Sequence, residues 1–213
     1  MAILHRAELV PAKLVLLSEW SPSQPWSGGS VILPLRVPGA FRFDDPGGKV
    51  GMETFIVGGA DGRTFHVPVT YRGAPLEGAP GGLVGTTKHS VLGERWVYDG
   101  CTDPVYVRAL LRTILTGGRQ ADMYYQAEEG LQRRETTTYA WGTGSAATVI
   151  PVTARFACRT ARRATVIEGG NVQVVLRREL DGPRAADAPP GAPALLATWP
   201  EQEDPVTLAW AAT

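Results

Sequence analysis

Turn-forming residues recur along this chain and divide it into short segments, which limits the possible folds more than any other feature. Glycine and proline account for 25 and 17 of the 213 residues. Strong turn signals stand at Asp44-Asp45-Pro46-Gly47-Gly48, Asp61-Gly62 and Glu168-Gly169-Gly170-Asn171. Strands do not alternate with long helices. The pattern therefore argues against a parallel α/β sheet and favours a strand-rich fold.

One segment has the complete pattern of an α-helix. Asp103 is suited to the N-cap, Pro104 to the first turn, and Gly117-Gly118 to the end of the helix. Between them Arg108 and Arg112 share one side, and apolar residues at helical spacing form the opposite side. These apolar residues are Val107, Leu110, Leu111, Ile114 and Leu115. The segment predicts a helix with one buried face.

The remaining segments predict strands and a second, short helix. The short helix is expected between Pro11 and Trp20, from the spacing of its leucines. Alternation or turn spacing indicates strands over 2–10, 31–43, 49–57, 65–71, 89–98, 152–159, 172–177, 194–199 and 205–212. In the strand 49–57 the two alternating sets of residues both include apolar side chains, so both faces of that strand are partly apolar.

Composition and charge exclude several classes of function. Lysine plus arginine and aspartate plus glutamate balance at 21 each, so no net field directs the chain to nucleic acid or to an anionic membrane. No apolar run approaches the roughly 20 residues that span a bilayer, and the first residues show no secretory signal. Cys101 and Cys158 match no CxxC pattern. We expect a cytoplasmic protein with neither a nucleic-acid nor a membrane partner.

Motifs of known catalytic centres do not occur in the sequence. The three histidines, His5, His66 and His89, lack metal-ligand spacing, and no Gly-x-Ser-x-Gly elbow is present. The glycine-rich segments 78–85 and 142–145 have neither P-loop spacing nor a helix after them, so both are interpreted as loops. We therefore assign no catalytic residue, and we expect no metal and no cofactor.

The segment from Tyr71 to Asp99 brings aromatic, basic and acidic residues close together. Sugar sites often combine ring stacking on Trp or Tyr with hydrogen bonds from such polar groups. The alternative is that Trp96 and Tyr98 face the core, with structural ion pairs around them. Under the first interpretation, the candidate ligand-binding residues are Arg72, Glu77, His89, Arg95, Trp96 and Asp99.

A second candidate surface is a strip of arginines in the C-terminal third. Arg155, Arg159 and Arg162 are its main members, and Arg163, Arg177 and Arg178 are expected to extend it across a predicted hairpin. Such a strip could bind an anion or an acidic partner protein. The alternative is an ordinary solvated face of an antiparallel sheet.

Several motifs resemble the N-terminal cap domain of actinobacterial maltokinases. The stretch Ser18 to Trp26 contains the pattern Trp-x-Pro-x-Gln-x-Trp, and a helix precedes it. Tyr71-Arg72-Gly73 followed by Gly85-Thr86-Thr87 is similar to a later strand and loop of the cap. Val97-Tyr98-Asp99 with Asp103-Pro104 is similar to the element before its helix. The resemblance covers about residues 1–130, and the whole chain resembles a group of standalone cap-like proteins without the kinase body.

This resemblance implies an α+β fold, with a curved, cystatin-like antiparallel sheet and a few helices packed on one side. It implies a single domain over 1–213, with a cap-like part over 1–130 and a β-rich part over 146–213. In maltokinases the cap lies beside the nucleotide lobe and is thought to tune the kinase. Nothing in the chain matches the kinase catalytic loop, which resembles His-x-Asp-Leu-His. No catalytic residue is carried over from the family.

Three hypotheses of function follow. The leading one is a non-catalytic binding or regulatory module linked to maltose, trehalose and α-glucan (glycogen) metabolism. Its partner would be an enzyme of that metabolism, or a sugar or sugar phosphate. The second is a carbohydrate-active enzyme with acid/base carboxylates among Glu77, Glu94 and Asp99. The third is a structural interaction domain that uses a sheet edge or the arginine strip.

Overall fold

The computed structural model describes residues 2–4, 7–33, 36–127, 130–150, 155–181 and 188–212. This part of the chain is predominantly β, with two α-helices, and its antiparallel strands include a curled half-barrel. In chain order the elements are β1 Ala2–Leu4, β2 Leu9–Val10, α1 Lys13–Trp20, β3 Gly39–Phe43, β4 Gly51–Gly58, β5 Thr64–Arg72, β6 Leu83–His89, β7 Gly93–Asp99, α2 Pro104–Thr116, β8 Met123–Ala127, β9 Gly130–Arg133, β10 Tyr139–Gly142, β11 Ala157–Thr160, β12 Ala164–Gly169, β13 Val172–Arg177, β14 Ala194–Trp199 and β15 Gln202–Ala212.

The strands form three sheets. The first sheet has the order β2-β6-β7-β5-β4-β3 and the second has the order β10-β14-β15-β13-β12-β11, both antiparallel. The third is small, with the order β1-β8-β9 and a parallel β1–β8 pair. Main-chain hydrogen bonds also join the first two sheets: the His66 amide donates to the Arg178 carbonyl at 2.8 Å, and Leu180 donates to Thr64 at 2.9 Å.

Both faces of the first sheet are covered, because its strands are apolar on both sides. On β4, Phe55 and Val57 pack with α1, while Met52 and Ile56 pack with α2 and the second sheet. The two helices therefore lie on opposite faces. The predicted placement of the helices on one side is wrong, and neither the α+β class nor a cystatin-like arrangement is confirmed. The partly apolar pattern of both sides of 49–57 is explained by this double burial.

The long helix forms as predicted. The Asp103 carboxylate accepts a hydrogen bond from the Val105 amide at 2.9 Å, and Gly117 ends the helix in the left-handed region with φ of 67°. The five apolar residues that we identified on its face are all buried. The segment 142–145, interpreted as a loop, begins instead with Gly142 as the last residue of β10. After it, the Gly144 amide donates to the Ile114 carbonyl at 2.9 Å, near the C-terminal end of α2. A side chain on Gly142 would clash with the Thr113 carbonyl, which explains the glycine there.

Several predicted strands have different limits in the structure. Residues 2–4 and 9–10 are strands of different sheets, and the strand expected over 31–43 begins only at Gly39. The single strand expected over 89–98 is wrong, since β6 and β7 form a hairpin that turns at 90–92. Gly93, with φ of 76°, permits this tight turn. Of the strand expected over 152–159, residues 152–154 lie outside the described residues.

Candidate functional site

The candidate residues of the segment 71–99 lie on or beside the β6–β7 hairpin, which occupies one half of the first sheet. Strand β7 lies between β6 and β5, and its Trp96 is the register partner of Arg72. Cross-strand partners project on the same face, so these two residues are neighbours, as a binding site would need. Trp96 is half-buried.

Arg72 is engaged in a bidentate ion pair. Its Nε and Nη2 atoms donate to the two carboxylate oxygens of Asp103 at 2.6 and 2.7 Å, and Asp103 is fully buried. Since Asp103 is also the N-cap of α2, this pair fixes the end of β5 to the start of the helix.

Asp99 lies inside the molecule, in a second ion pair. Its two carboxylate oxygens accept hydrogen bonds from Nη2 of Arg178 at 2.8 and 2.6 Å, and Asp99 and Arg178 are 5% and 0% exposed. Nε of Arg178 donates to the Thr165 hydroxyl at 2.8 Å, and the guanidinium lies 5.5 Å from the centre of the Trp26 ring. Burial opposes the charged form of Arg178, but the Asp99 carboxylate outweighs it and raises the Arg178 pKa.

His89 and Arg95 shape the hairpin turn. Nδ1 of His89 accepts hydrogen bonds from the Val91 and Leu92 amides at 3.2 and 3.1 Å, while Nη2 of Arg95 donates to the Leu92 carbonyl at 2.6 Å. Glu77 is exposed in the loop between β5 and β6. The structure thus distributes the six candidates over four places: Arg72 with Trp96, His89 with Arg95, Asp99 in the interior, and Glu77 in a loop.

The arginine strip is shorter than its sequence indicates. Arg155, Arg159 and Arg162 are exposed, at or beside the edge strand β11 of the second sheet. Arg177 and Arg178, which we expected to extend the strip, are 8% and 0% exposed. That extension is wrong, because residues 177–178 are where the second sheet joins β5 of the first.

A buried polar cluster accompanies this junction. His66 is fully buried, and its Nδ1 atom lies 3.0 Å from the Arg177 carbonyl. Burial, helped by the charge of Arg178, lowers the His66 pKa to about 3, so the ring is neutral at physiological pH. Nearby, Arg63 donates to Glu179 at 3.0 Å across the same two sheets. We call His66, Asp99, Arg178, Arg63 and Glu179 the polar seam.

A cavity of about 610 Å³ lies elsewhere, along the outward side of α2. Its walls are α2, the turn after β3, and the segment that leads from α2 into β8. The polar residues among its lining are Asp44, Asp45, Arg108, Arg112, Thr113, Thr116, Arg119, Gln120, Asp122 and Tyr124. We call this cavity the α2 cleft. The sequence pattern placed Arg108 and Arg112 on the polar side of the helix but gave no sign of an opposing wall.

Two of the cleft's three acidic groups have identified partners. Asp45 accepts hydrogen bonds from the Gly47, Lys49 and Val50 amides at 2.8–2.9 Å. Burial alone would raise the Asp45 pKa, but these hydrogen bonds lower it, so the group stays ionised. Asp122 forms a 2.7 Å ion pair with Arg133. By contrast, Arg108 and Arg112 are exposed and form no ion pair within the described residues.

Comparison with protein families gives one finding. The model of the maltokinase N-terminal cap domain matches residues 20–103. Residues 20–103 are therefore similar to this domain. We call them the cap segment; it runs from the last residue of α1 to the N-cap of α2 and includes β3 to β7. Comparison with curated proteins gives no match.

Residues outside the cap segment form ion pairs and a helix with residues inside it. Asp99 pairs with Arg178, Arg63 pairs with Glu179, and Asp103 is the N-cap of a helix that follows the matched residues. The cap segment also contributes the turn at Asp44–Pro46 to the α2 cleft, while α2 lies outside it. Among the described residues, no helix is long and apolar enough to cross a membrane.

Proposed function

We propose that this protein is a non-catalytic binding or regulatory module of maltose, trehalose and α-glucan metabolism, and that it acts on a maltokinase-like enzyme. The observation that carries this proposal is the match of residues 20–103 to the maltokinase cap domain. In the family that the sequence resembles, the cap lies beside the nucleotide lobe of the kinase. A cap-like chain would act through the same kind of contact.

The state of the candidate carboxylates supports a non-catalytic role. A general acid or base must be able to reach its substrate. Asp99 is buried against Arg178, and Asp103 is buried against Arg72. The rival hypothesis of a carbohydrate-active enzyme would therefore depend on Glu77 or Glu94, which are both exposed.

We also propose that the chain is a single structural unit, in which the β-rich C-terminal part completes the cap-like part. The polar seam and the main-chain hydrogen bonds of His66 and Leu180 support this, because they connect β5, Arg63 before it and the end of β7 to residues 178–180. A cytoplasmic location belongs to the same proposal. It is supported by Cys101 and Cys158, which are both free thiols as a reducing compartment would keep them.

A binding assay tests the proposal. The protein is immobilised and titrated with a purified maltokinase, at low and at physiological salt. We expect saturable binding, and we expect a variant at Arg159 and Arg162 to weaken it if the arginine strip contributes. A double substitution of Arg108 and Arg112 removes the same charge from another surface and is the matched control. Absence of binding under both salt conditions would contradict the proposal.

A ligand screen addresses the small-molecule form of the same hypothesis. Thermal unfolding is followed with maltose, trehalose, glucosamine, maltose 1-phosphate, glycogen, ATP and ADP. Binding to the native state raises the unfolding temperature by mass action. A shift that Trp96→Ala abolishes would support the predicted site at Arg72 and Trp96. A shift that survives Trp96→Ala would place the ligand elsewhere.

A further inference from the structure

The α2 cleft has the size of a small-molecule site. At about 610 Å³ it lies within the usual range of ligand pockets, roughly 300–1,000 Å³. Its lining combines apolar surface, from Phe43, Pro46 and Val105, with convergent polar groups. An inorganic anion alone would leave most of this volume to water.

The charges in the cleft favour an anionic ligand. Asp45 and Asp122 are committed to the partners described above, and Asp44 also has a partner interaction. Arg119 acts on Asp122, whose pKa it helps to lower after the larger effect of Arg133. Among the residues that the structure describes, positive charge without an ion-pair partner therefore remains at Arg108 and Arg112.

The two arginines stand four residues apart on one side of α2. Side chains at this spacing are neighbours, and two like charges there repel each other. A phosphate group between them would turn this repulsion into two charge-assisted contacts. Guanidinium groups suit phosphate particularly well, because their planar donors can bind two oxygens at once.

We propose that the α2 cleft binds a small organic phosphate ester, with its phosphate held by Arg108 and Arg112. The organic part of the ester occupies the remaining volume, against Tyr124 and the turn at Asp44–Pro46. This inference rests on the geometry and charge of the cleft alone. It does not depend on any association with a maltokinase-like enzyme.

Isothermal titration of the full chain tests the inference. The probes are three esters with different organic parts: glucose 1-phosphate, glycerol 3-phosphate and AMP. Glucose and inorganic phosphate are the reference ligands. We expect at least one ester to bind at least tenfold more tightly than both references, since only an ester uses both the charge and the volume. If inorganic phosphate binds as tightly as the best ester, or if no ester binds, the inference is overturned.

Two double variants with the same change of charge locate the site. Arg108→Gln with Arg112→Gln should weaken ester binding at least tenfold. Arg159→Gln with Arg162→Gln, on the exposed arginine strip, should change it less than twofold. Because all four side chains are exposed, both variants are expected to fold, and circular dichroism checks this. Equal losses in the two variants would show that the ester responds only to overall charge, and would overturn the assignment.

Discussion

The polar seam and the α2 cleft use the same residue types in opposite ways. In the seam, Asp99 and Arg178 are almost completely buried and bind each other through two short hydrogen bonds. In the cleft, Arg108 and Arg112 are exposed, and neither has an ion-pair partner among the described residues. The seam's charges join two sheets, while those of the cleft are available to a ligand.

Because the Asp99 and Arg178 charges of the seam are buried and those of Arg108 and Arg112 are exposed, the two regions should also differ in their contribution to the free energy of unfolding. A charge that has lost its water depends on its partner, so removing that partner leaves a large desolvation penalty. An exposed arginine keeps its hydration and loses little when it is replaced. The seam should therefore respond to substitution through stability, and the cleft through binding.

Asp99→Asn should destabilise the protein by about 3–5 kcal/mol, because it leaves the buried Arg178 guanidinium without a counter-charge. Urea unfolding measures this loss. Asp122→Asn is the matched control: it makes the same chemical change in the exposed pair with Arg133 and should have little effect. Similar losses of stability in both variants would mean that the buried Asp99–Arg178 pair contributes no more than the exposed Asp122–Arg133 pair.

Stability should also fall in mild acid because of His66. Its pKa is about 3 in the folded protein and near 6.5 in the unfolded chain. Between these values only the unfolded chain takes up the proton, so stability is lost as the pH falls below 6.5. The slope is half of about 1.4 kcal/mol per pH unit at pH 6.5 and reaches the full value at lower pH, so the loss between pH 6.5 and 4.5 is about 2 kcal/mol.

The free energy of unfolding of the parent and of His66→Gln, measured from pH 7 to pH 4.5, isolates this contribution. The variant should be less stable at pH 7 but should show a flatter profile. Glu53, whose pKa Arg42 and Lys13 lower to about 2 against the effect of burial, contributes mainly below pH 4.5. Parallel profiles for parent and variant above pH 4.5 would show that His66 is accessible to protons in the folded state.

Arg72→Lys should cost about 2 kcal/mol, because an ammonium cannot reproduce the bidentate contact with the buried Asp103. If Arg72 is instead a ligand-binding residue, as the sequence indicates, its variant will also change a ligand-induced thermal shift. Unfolding with and without the best ligand of the screen separates the two roles. A shift that remains unchanged would assign Arg72 to structure alone.

Arg112→Gln should leave the protein as stable as before, or more stable by about 0.2–0.5 kcal/mol, because it removes the repulsion with Arg108. Urea unfolding at low ionic strength detects the change, and added salt should reduce it. A loss above 1 kcal/mol would show that Arg112 has a structural partner, which would weaken the contrast between cleft and seam.

Local patterns predicted the local elements well. The N-cap at Asp103, the glycine that ends α2 and the buried face of that helix all follow from short-range chemistry, and the structure confirms them. The limits of β2, β3, β6 and β7 were harder to predict, because the alternation of apolar residues does not show where a chain reverses its direction. Ser90 to Leu92 interrupt a stretch that otherwise has the composition of one strand.

The partners of the charged residues could not be predicted from the sequence. Asp99 and Arg178 are 79 positions apart, and Arg72 and Asp103 are 31 apart, so neither pair is visible in a local pattern. The same limit applies to the cleft, since Arg108 and Arg112 have the spacing of any solvated helix face. Only the turn at Asp44–Pro46 and the segment before β8 make that face concave.

The most direct test of the proposed function is the rate of maltose phosphorylation by a purified maltokinase. The rate is measured while this protein is titrated into the assay. The proposed function predicts that the protein alone phosphorylates no maltose, and that it changes the kinase rate in a saturable way at the concentrations where it binds. A rate that stays constant at saturating concentration, or turnover by this protein alone, would contradict it.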